Sequence, residues 1–151
     1  MPPADELILS AALHRQLLAH LRRVAPEEGC GLIAFHHGCP VRLFEGTNTE
    51  RSTTRYNMDP GEVLTALNEM ERHGWELGAI YHSHPRSAAE PSETDLAYYY
   101  YPDALMVIVS LAGPSPDLRA YRIGEQGWGA PARRVPVRVI EHAHESGQGG
   151  I

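Results

Sequence analysis

The chain has 151 residues, 42% of them hydrophobic and 21% charged, which suits one packed domain and excludes wholesale disorder. Its 13 lysine and arginine residues against 19 aspartate and glutamate residues give a formal net charge of −6, so we expect neither nucleic-acid binding through a basic face nor attraction to anionic membranes. The absence of a signal-peptide pattern, of any apolar run near the ~20 residues that span a bilayer, and of cysteines beyond Cys30 and Cys39 indicates a cytoplasmic protein with reduced thiols.

The first third of the chain predicts a helix followed by a hairpin. Ser10 is the expected N-cap of the helix, in which leucines recur at helical spacing until Pro26 ends it. Two short apolar runs, residues 31–35 and 41–44, flank a turn at residues 36–40. They therefore predict a pair of antiparallel strands.

A polar loop and a second helix come next. Residues 46–56 are polar and predict a loop. Asp59 and Pro60 supply an N-cap and a proline at the first helical position, so a second helix is expected to run to Gly74. The apolar residues 77–81 then predict a strand that leads directly into a pair of histidines.

Three further strands complete the expected fold. Residues 105–111 are the most apolar run and predict a central buried strand. Residues 118–123 alternate and predict a strand with one face in solvent, and residues 135–140 predict a last strand. The whole pattern indicates one α/β domain over residues 1–140, with a mixed β-sheet flanked by helices. The polar, Gly-rich residues 141–151 are expected to form a mobile tail.

Two histidines and one aspartate predict a metal site. His82 and His84 are two residues apart at the end of a strand, so their side chains point to the same face. Asp95 follows in the first turn of a helix that Ser92 is expected to cap. Two nitrogens and one oxygen suit zinc, and three protein ligands leave a position for water, as in catalytic zinc sites. Zinc lowers the pKa of such a water towards ~7 and so supplies hydroxide at neutral pH.

Two other pairs of histidines are not followed closely by a capped helix that carries an acid. His142 and His144 lie in the Gly-rich tail, and His36 and His37 lie in the predicted turn. A lone pair of this kind is common in proteins without a function. We therefore expect no metal at either place.

Three segments resemble the motif of the JAMM, or MPN-plus, metalloproteases. HSHP at residues 82–85 is followed, after six residues, by SETD at residues 92–95. Upstream, PEEGCGL at residues 26–32 resembles the family segment that carries the catalytic glutamate. The resemblance covers residues 7–140, and no motif residue is missing. It implies the JAMM/MPN architecture, a cytidine-deaminase-like α/β fold.

The resemblance also assigns a role to each motif residue. It implies that His82, His84 and Asp95 bind zinc, that Glu28 hydrogen-bonds the water at the metal, and that Ser92 points at the developing oxyanion. Glu28 would take a proton from that water and return it to the leaving amine, while zinc and Ser92 stabilise the tetrahedral intermediate.

Simpler alternatives exist for each residue outside the ligand set. Ser92 serves as a helix N-cap on either interpretation. On the alternative interpretation Glu28 is a solvated charge. Its neighbour Glu27 could instead be the residue that matches the catalytic glutamate of the family motif. Cys30 is expected to pack in the core rather than to act as a nucleophile.

The short length of the chain and its resemblance to bacterial members of the family limit the class of substrate that we expect. JAMM enzymes cut peptide or isopeptide bonds after the C-terminal Gly-Gly of ubiquitin-like proteins, whose extended tails can add to a sheet edge. This chain is too short for the insertions of eukaryotic deubiquitinases and resembles bacterial sulfur-carrier-protein–cysteine hydrolases. The shared segments are EGCG at 28–31, TERS at 49–52, IYHSH at 80–84 and PSETD at 91–95. One such family has threonine in place of Pro85.

Two questions stay open at this stage. Arg51 or Arg55, in the polar loop, is a candidate for binding the carboxylate of a leaving amino acid or of the carrier tail, although both also fit solvated surface arginines. The alternatives to a hydrolase are a non-catalytic MPN scaffold and a DNA-repair-associated JAMM-like protein. The complete ligand set disfavours the first and the negative charge disfavours the second.

Overall fold

A computed structural model describes residues 6–124 and 131–141 of the chain. In chain order its elements are β1 (Leu7–Ser10), α1 (Ala11–Val24), β2 (Cys30–His36), β3 (Cys39–Glu45), α2 (Pro60–His73), β4 (Glu76–His84), α3 (Glu93–Ala97), β5 (Leu105–Ser110), β6 (Asp117–Arg122), β7 (Arg133–Val135) and β8 (Val137–Ile140). None of the described helices is long and apolar enough to cross a membrane. All residues of the predicted tail except the first lie outside the described ranges, so the tail and the domain boundary stay predictions. The cytoplasmic location also stays a prediction.

Six of the described strands form one mixed sheet in the order β3-β2-β4-β5-β6-β7. Strand β4 runs parallel to β5, and every other neighbouring pair in this sheet is antiparallel. Strands β1 and β8 pair in parallel as a separate two-stranded ribbon. Strand β4 is therefore interior to the sheet, held by β2 on one side and β5 on the other.

Both long helices begin where the sequence predicts. The Leu13 N–H donates to Ser10 Oγ over 3.0 Å at the start of α1. At the start of α2, the Gly61 N–H donates to Asp59 Oδ1 over 2.8 Å. Helix α2 ends at Gly74, whose φ of 71° lies in the left-handed region that glycine adopts without steric cost. The two helix predictions are confirmed.

The sheet carries packed side chains on both faces. On one face, Leu17 and Leu21 of α1 join a core that includes Tyr81 of β4. On the other face, Ala66 and Met70 of α2 pack on the residues of β2 and β4 that point the opposite way. Because successive strand residues alternate between faces, Ile80 and the two histidines at residues 82 and 84 lie on the α2 side.

Two strand predictions need correction. The single strand expected over residues 135–140 is two strands, because Pro136 has no N–H to donate and separates β7 from β8. Strand β6 does not keep one face in solvent. Ala120 packs into the α1-side core, while Tyr121 packs on the opposite face with Ala89. The loop before α3 covers that second face, and the alternation of β6 alone does not reveal it.

Candidate active site

The two predicted histidine ligands lie at the end of β4, on the α2 side of the sheet. His82 is 0% exposed and His84 is 4% exposed. The strand register places His82 between Cys30 of β2 and Ile108 of β5. Because β4 is hydrogen-bonded to both neighbours here, the backbone beneath both imidazoles is fixed.

Helix α3 supplies the third predicted ligand. The Asp95 N–H donates to Ser92 Oγ over 3.0 Å, and the Ser92 N–H donates to Asp95 Oδ2 over 2.9 Å. The predicted capping box, with aspartate at its third position, is therefore confirmed. The Asp95 side chain is only 7% exposed, and these local hydrogen bonds orient its carboxylate.

Three donor atoms converge at this point. His82 Nε2 lies 3.2 Å from His84 Nε2 and 3.2 Å from Asp95 Oδ2, and His84 Nε2 lies 3.0 Å from the same oxygen. Ligands of a tetrahedral zinc ion, each ~2.0–2.1 Å from the metal, are about 3.3 Å apart. The triangle is therefore of the size that a zinc ion requires. Among the described residues, these three side chains form the one group able to hold a metal ion.

A loop carbonyl sets the tautomer of His84. His84 Nδ1 donates to the Ala88 carbonyl oxygen over 2.7 Å, and since a carbonyl only accepts, the neutral ring offers its lone pair at Nε2. Ser110 Oγ donates to the Ser87 carbonyl and Tyr121 Oη to the Ala89 carbonyl, each over 2.6 Å. Three consecutive carbonyls are thus held by side chains of the sheet, which fixes the loop and the imidazole together.

Burial and mutual contacts shift the pKa values of all three triad residues. Burial disfavours the Asp95 carboxylate, but hydrogen bonds with His82 and His84 outweigh it and hold the pKa of Asp95 well below its usual range. Burial lowers the pKa of His82. For His84, contact with Asp95 and with the Ala88 carbonyl overcomes the effect of burial and raises its pKa. The site therefore holds one anionic oxygen beside a histidine that burial keeps neutral.

Glu28 is buried beside this triad. It is 3% exposed and interacts electrostatically with both His84 and Asp95. Burial raises its pKa to about 7, and its Oε1 has no hydrogen-bond partner among the described residues. Its neighbour Glu27 is partly exposed and forms an ion pair of 3.6 Å with Arg51. Glu28, not Glu27, is therefore the acid that interacts with the triad, and its role as the general base stays a prediction.

The polar loop between β3 and α2 supplies two residues that the sequence analysis missed. The ring of Tyr56 stacks on the ring of His82, with centroids 4.6 Å apart. The Asn48 side chain is buried, and its amide donates to the carbonyls of Glu28 and Arg55 over 3.0 and 2.9 Å. Asn48 therefore ties the loop to the segment of Glu28. Neither residue belongs to the motif, and only the contacts in three dimensions identify them.

A cavity of about 530 Å³ opens on Asp95. One wall is the apolar surface of β2 and β4, and another is the loop that carries Tyr56. A third wall is the run of four tyrosines after α3, of which Tyr98 and Tyr100 are 69% and 72% exposed. The cavity combines an apolar surface with an exposed aromatic rim, as expected for a groove that receives another chain.

The remaining predicted residues are placed as follows. Cys30 is buried, which confirms that it packs in the core, and burial raises its pKa to about 12, which disfavours a nucleophilic role. Ser92 caps α3, and its suggested contact with an oxyanion stays a prediction. The exposed His36 and His37 contact each other with tilted rings in the turn between β2 and β3. The other predicted pair without a function, at residues 142 and 144, lies outside the described residues.

The fold and the site together define a JAB-type domain with a candidate metal site. Residues 10–124 match the family described as prokaryotic homologs of the JAB domain. The chain therefore belongs to this family, and the predicted JAMM/MPN membership and α/β architecture are confirmed.

Named relatives agree with the predicted enzyme class. Over 138 residues the chain is 41% identical to the CysO-cysteine peptidase of Mycobacterium tuberculosis, an alignment that covers 89% of this chain and 92% of that one. It is 42% identical over 91 residues to the probable TtuB-protein conjugate cleaving protease of Thermus thermophilus, covering 60% and 61% of the two chains. The solution structure of protein DSY2949 from Desulfitobacterium hafniense matches with a TM-score of 0.79 and 29% identity, covering 92% of this chain and 97% of that one. The prediction of a peptidase is confirmed.

Proposed function

We propose that this chain is a zinc-dependent peptidase that cleaves the bond after the C-terminal Gly-Gly of a ubiquitin-like or sulfur-carrier protein. The observation that carries the proposal is the convergence of His82, His84 and Asp95 within 3.2 Å of one another beside the buried carboxyl of Glu28. The 41% identity to a CysO-cysteine peptidase supports the substrate class. The leaving group on that reading is cysteine or another amino acid.

The donor set fits zinc. Two imidazole nitrogens and one carboxylate oxygen are ligands that zinc accepts, and the hydrogen bond from His84 Nδ1 to the Ala88 carbonyl is the outer contact typical of zinc-binding histidines. When bound, zinc lowers the pKa of water and polarises a carbonyl oxygen. His82, His84 and Asp95 are the residues that would hold it.

The other side chains then have distinct tasks. Glu28 accepts a proton from the attacking water and donates it to the departing amine, and a pKa of about 7 suits a group that must do both near neutral pH. The Ser92 O–H keeps its proton free for donation, because the capping contact uses its oxygen only as an acceptor. Tyr56 covers one face of His82 and limits the access of solvent to that ring.

The cavity provides the path for the carrier tail. A Gly-Gly tail has no side chains, so it can lie between the aromatic rim and the apolar surface of the sheet and reach the triad in an extended form. The exposed Tyr98 and Tyr100 lie at the mouth of this path, where the folded body of a carrier would contact them. Such amphipathic rings are common at protein interfaces.

A metal-dependent assay tests the proposal. Purified protein is analysed for zinc and then assayed for the release of cysteine from a CysO–cysteine adduct, before and after chelation by EDTA and after zinc is restored. We expect turnover to require zinc, and we expect His84→Ala to lose both zinc and turnover while its circular dichroism spectrum stays native. Turnover that persists without metal would contradict the proposal. Protein that binds no zinc and cleaves nothing would instead favour a non-catalytic scaffold.

A further inference from the structure

One basic side chain faces the cavity beside the triad. Among the described residues that line this cavity, Arg55 is the one arginine, lysine or histidine. It directly precedes Tyr56, whose ring stacks on His82, and its carbonyl is held by the buried Asn48. The backbone position of Arg55 relative to the predicted metal ligands is therefore set by the fold, while its side chain remains 60% exposed.

The other arginine of the same loop is placed differently. Arg51 does not line the cavity, its side chain is 81% exposed, and its ion pair at 3.6 Å is with Glu27. The structure thus separates two residues that the sequence presents as equivalent. Arg51 is a surface charge, and it serves as a matched control for Arg55.

The chemistry of the substrate limits what Arg55 can bind. In a bond that follows Gly-Gly, the carboxylate of the carrier tail is consumed in the amide, and glycine has no side chain. In an adduct with an amino acid, the one anion next to the scissile bond is the α-carboxylate of that amino acid. In an isopeptide conjugate, the leaving group is a lysine side chain, which has no adjacent carboxylate. A guanidinium in the cavity that opens on Asp95 is complementary to the amino-acid adduct and not to the isopeptide conjugate.

Resting on the proposed function, we propose that Arg55 forms a carboxylate-binding subsite that selects adducts with a single amino acid over protein conjugates. Hydrolysis then adds water across the amide, so that the carrier regains its C-terminal carboxylate and the amino acid leaves with a free amine. Arg55 holds the carboxylate of that amino acid while the C–N bond breaks. Of the two named relatives, the chain then resembles the CysO-cysteine peptidase in its leaving group rather than the conjugate-cleaving protease.

Glu50 already pairs with Arg55 and would compete with a substrate carboxylate for the guanidinium. Its Oε1 accepts from Arg55 Nη2 over 3.2 Å, and it also lines the cavity. Exposed ion pairs of this kind contribute little to stability, so a substrate carboxylate can replace Glu50 as the partner of the guanidinium. Removing the Glu50 charge should therefore help the substrate rather than harm it, whereas a purely structural pair would suffer equally from the loss of either member.

The experiment compares two substrates on the zinc-loaded full chain. The probes are the CysO–cysteine adduct with a free carboxylate and the same adduct with a C-terminal amide. We expect the wild-type protein to prefer the free acid at least tenfold in kcat/KM. Arg55→Gln should lose tenfold or more on the acid and less than twofold on the amide. Arg51→Gln should match the wild type on both, and Glu50→Gln should keep or increase the preference for the acid.

Two kinds of failure are distinguishable. Loss of activity on both substrates to the same degree in Arg55→Gln, or no loss on either, would overturn the subsite while leaving the peptidase intact. A Glu50→Gln variant that loses the preference, as Arg55→Gln is expected to do, would show that the ion pair itself matters and would also overturn the subsite. Wild-type protein that cleaves neither adduct would contradict the proposed function and, with it, the proposed subsite.

Discussion

Replacing Glu28 by glutamine should stabilise the metal-free protein and abolish its activity. Burial raises the pKa of Glu28 from its ordinary value of 4.5 to about 7. Because the folded state binds this proton more tightly than the unfolded chain does, the stability that the neutral carboxyl allows is complete below pH 4.5 and is lost as the pH rises through 7. At about 1.4 kcal/mol for each pKa unit, the loss is on the order of 3 kcal/mol by pH 8. Glutamine has nearly the same shape and no charge to bury.

The assay is urea denaturation in EDTA, with the unfolding free energy measured between pH 4.5 and pH 8.5. Glu28→Gln and the wild type should be similar at pH 4.5, and the variant should become more stable by about 3 kcal/mol as the pH rises to 8. Comparing the two proteins at each pH removes the contribution of the titratable groups that do not interact with Glu28. Glu27→Gln is the matched control and should follow the wild type at every pH, because Glu27 is partly exposed.

Activity provides the second half of the same prediction. With zinc restored, Glu28→Gln should bind metal as the wild type does but lose turnover by ~10²–10⁴-fold, the range expected for removal of a general base, whereas Glu27→Gln should remain active. A difference in stability that stays constant from pH 4.5 to pH 8 would refute the claim that Glu28 is a buried acid with a raised pKa. An active Glu28→Gln enzyme would refute its role as the base.

Three further outcomes are expected. Zinc at 100 times its dissociation constant should stabilise the wild type by about 2.7 kcal/mol and should leave the melting temperature of His84→Ala unchanged; equal shifts would place the metal elsewhere. Asn48→Ala should cost about 3 kcal/mol in urea denaturation and should lower kcat, because it removes four hydrogen bonds from a buried side chain; an unaffected kcat would show that this loop does not position Glu28. The double variant Tyr98→Ser, Tyr100→Ser should raise KM for the intact CysO–cysteine adduct more than for a short Gly-Gly-Cys peptide, and equal changes would remove the aromatic rim from carrier binding.

The sequence predicts well those features whose geometry is determined by residues close together in the chain. The spacing of His82 and His84 on a strand and the capping box from Ser92 to Asp95 each depend on neighbours a few residues away, so their geometry follows from the pattern. Glu28 is different, since it lies 54 residues before His82 in the chain. Only the resemblance to a family motif singled it out from Glu27.

The features that the sequence did not predict depend on distant partners. Strand β1 has four residues and pairs with β8 at the far end of the chain, so no local pattern defines it. Tyr56 stacks on His82 across 26 residues, and Asn48 holds the backbone of Glu28 across 20. An asparagine in a polar loop gives no signal of being buried. Its role becomes visible only when the loop is folded against the sheet.

The way Glu28 is held supports the base role that we propose for it. Its N–H donates to the Ser52 carbonyl over 2.8 Å, and its own carbonyl accepts from the Asn48 amide over 3.0 Å, so the backbone is fixed on both sides. The carboxyl, in contrast, has an oxygen with no partner among the described residues. The backbone hydrogen bonds therefore fix the position of Glu28, and its carboxyl keeps an oxygen lone pair that can accept a proton. Asp95 shows the opposite arrangement, since its Oδ2 already accepts from the Ser92 N–H and lies against both histidines. A carboxylate whose oxygen already has several partners suits a metal ligand, and one with a free lone pair suits proton transfer. The two arrangements therefore support the different roles that we propose for these two acids.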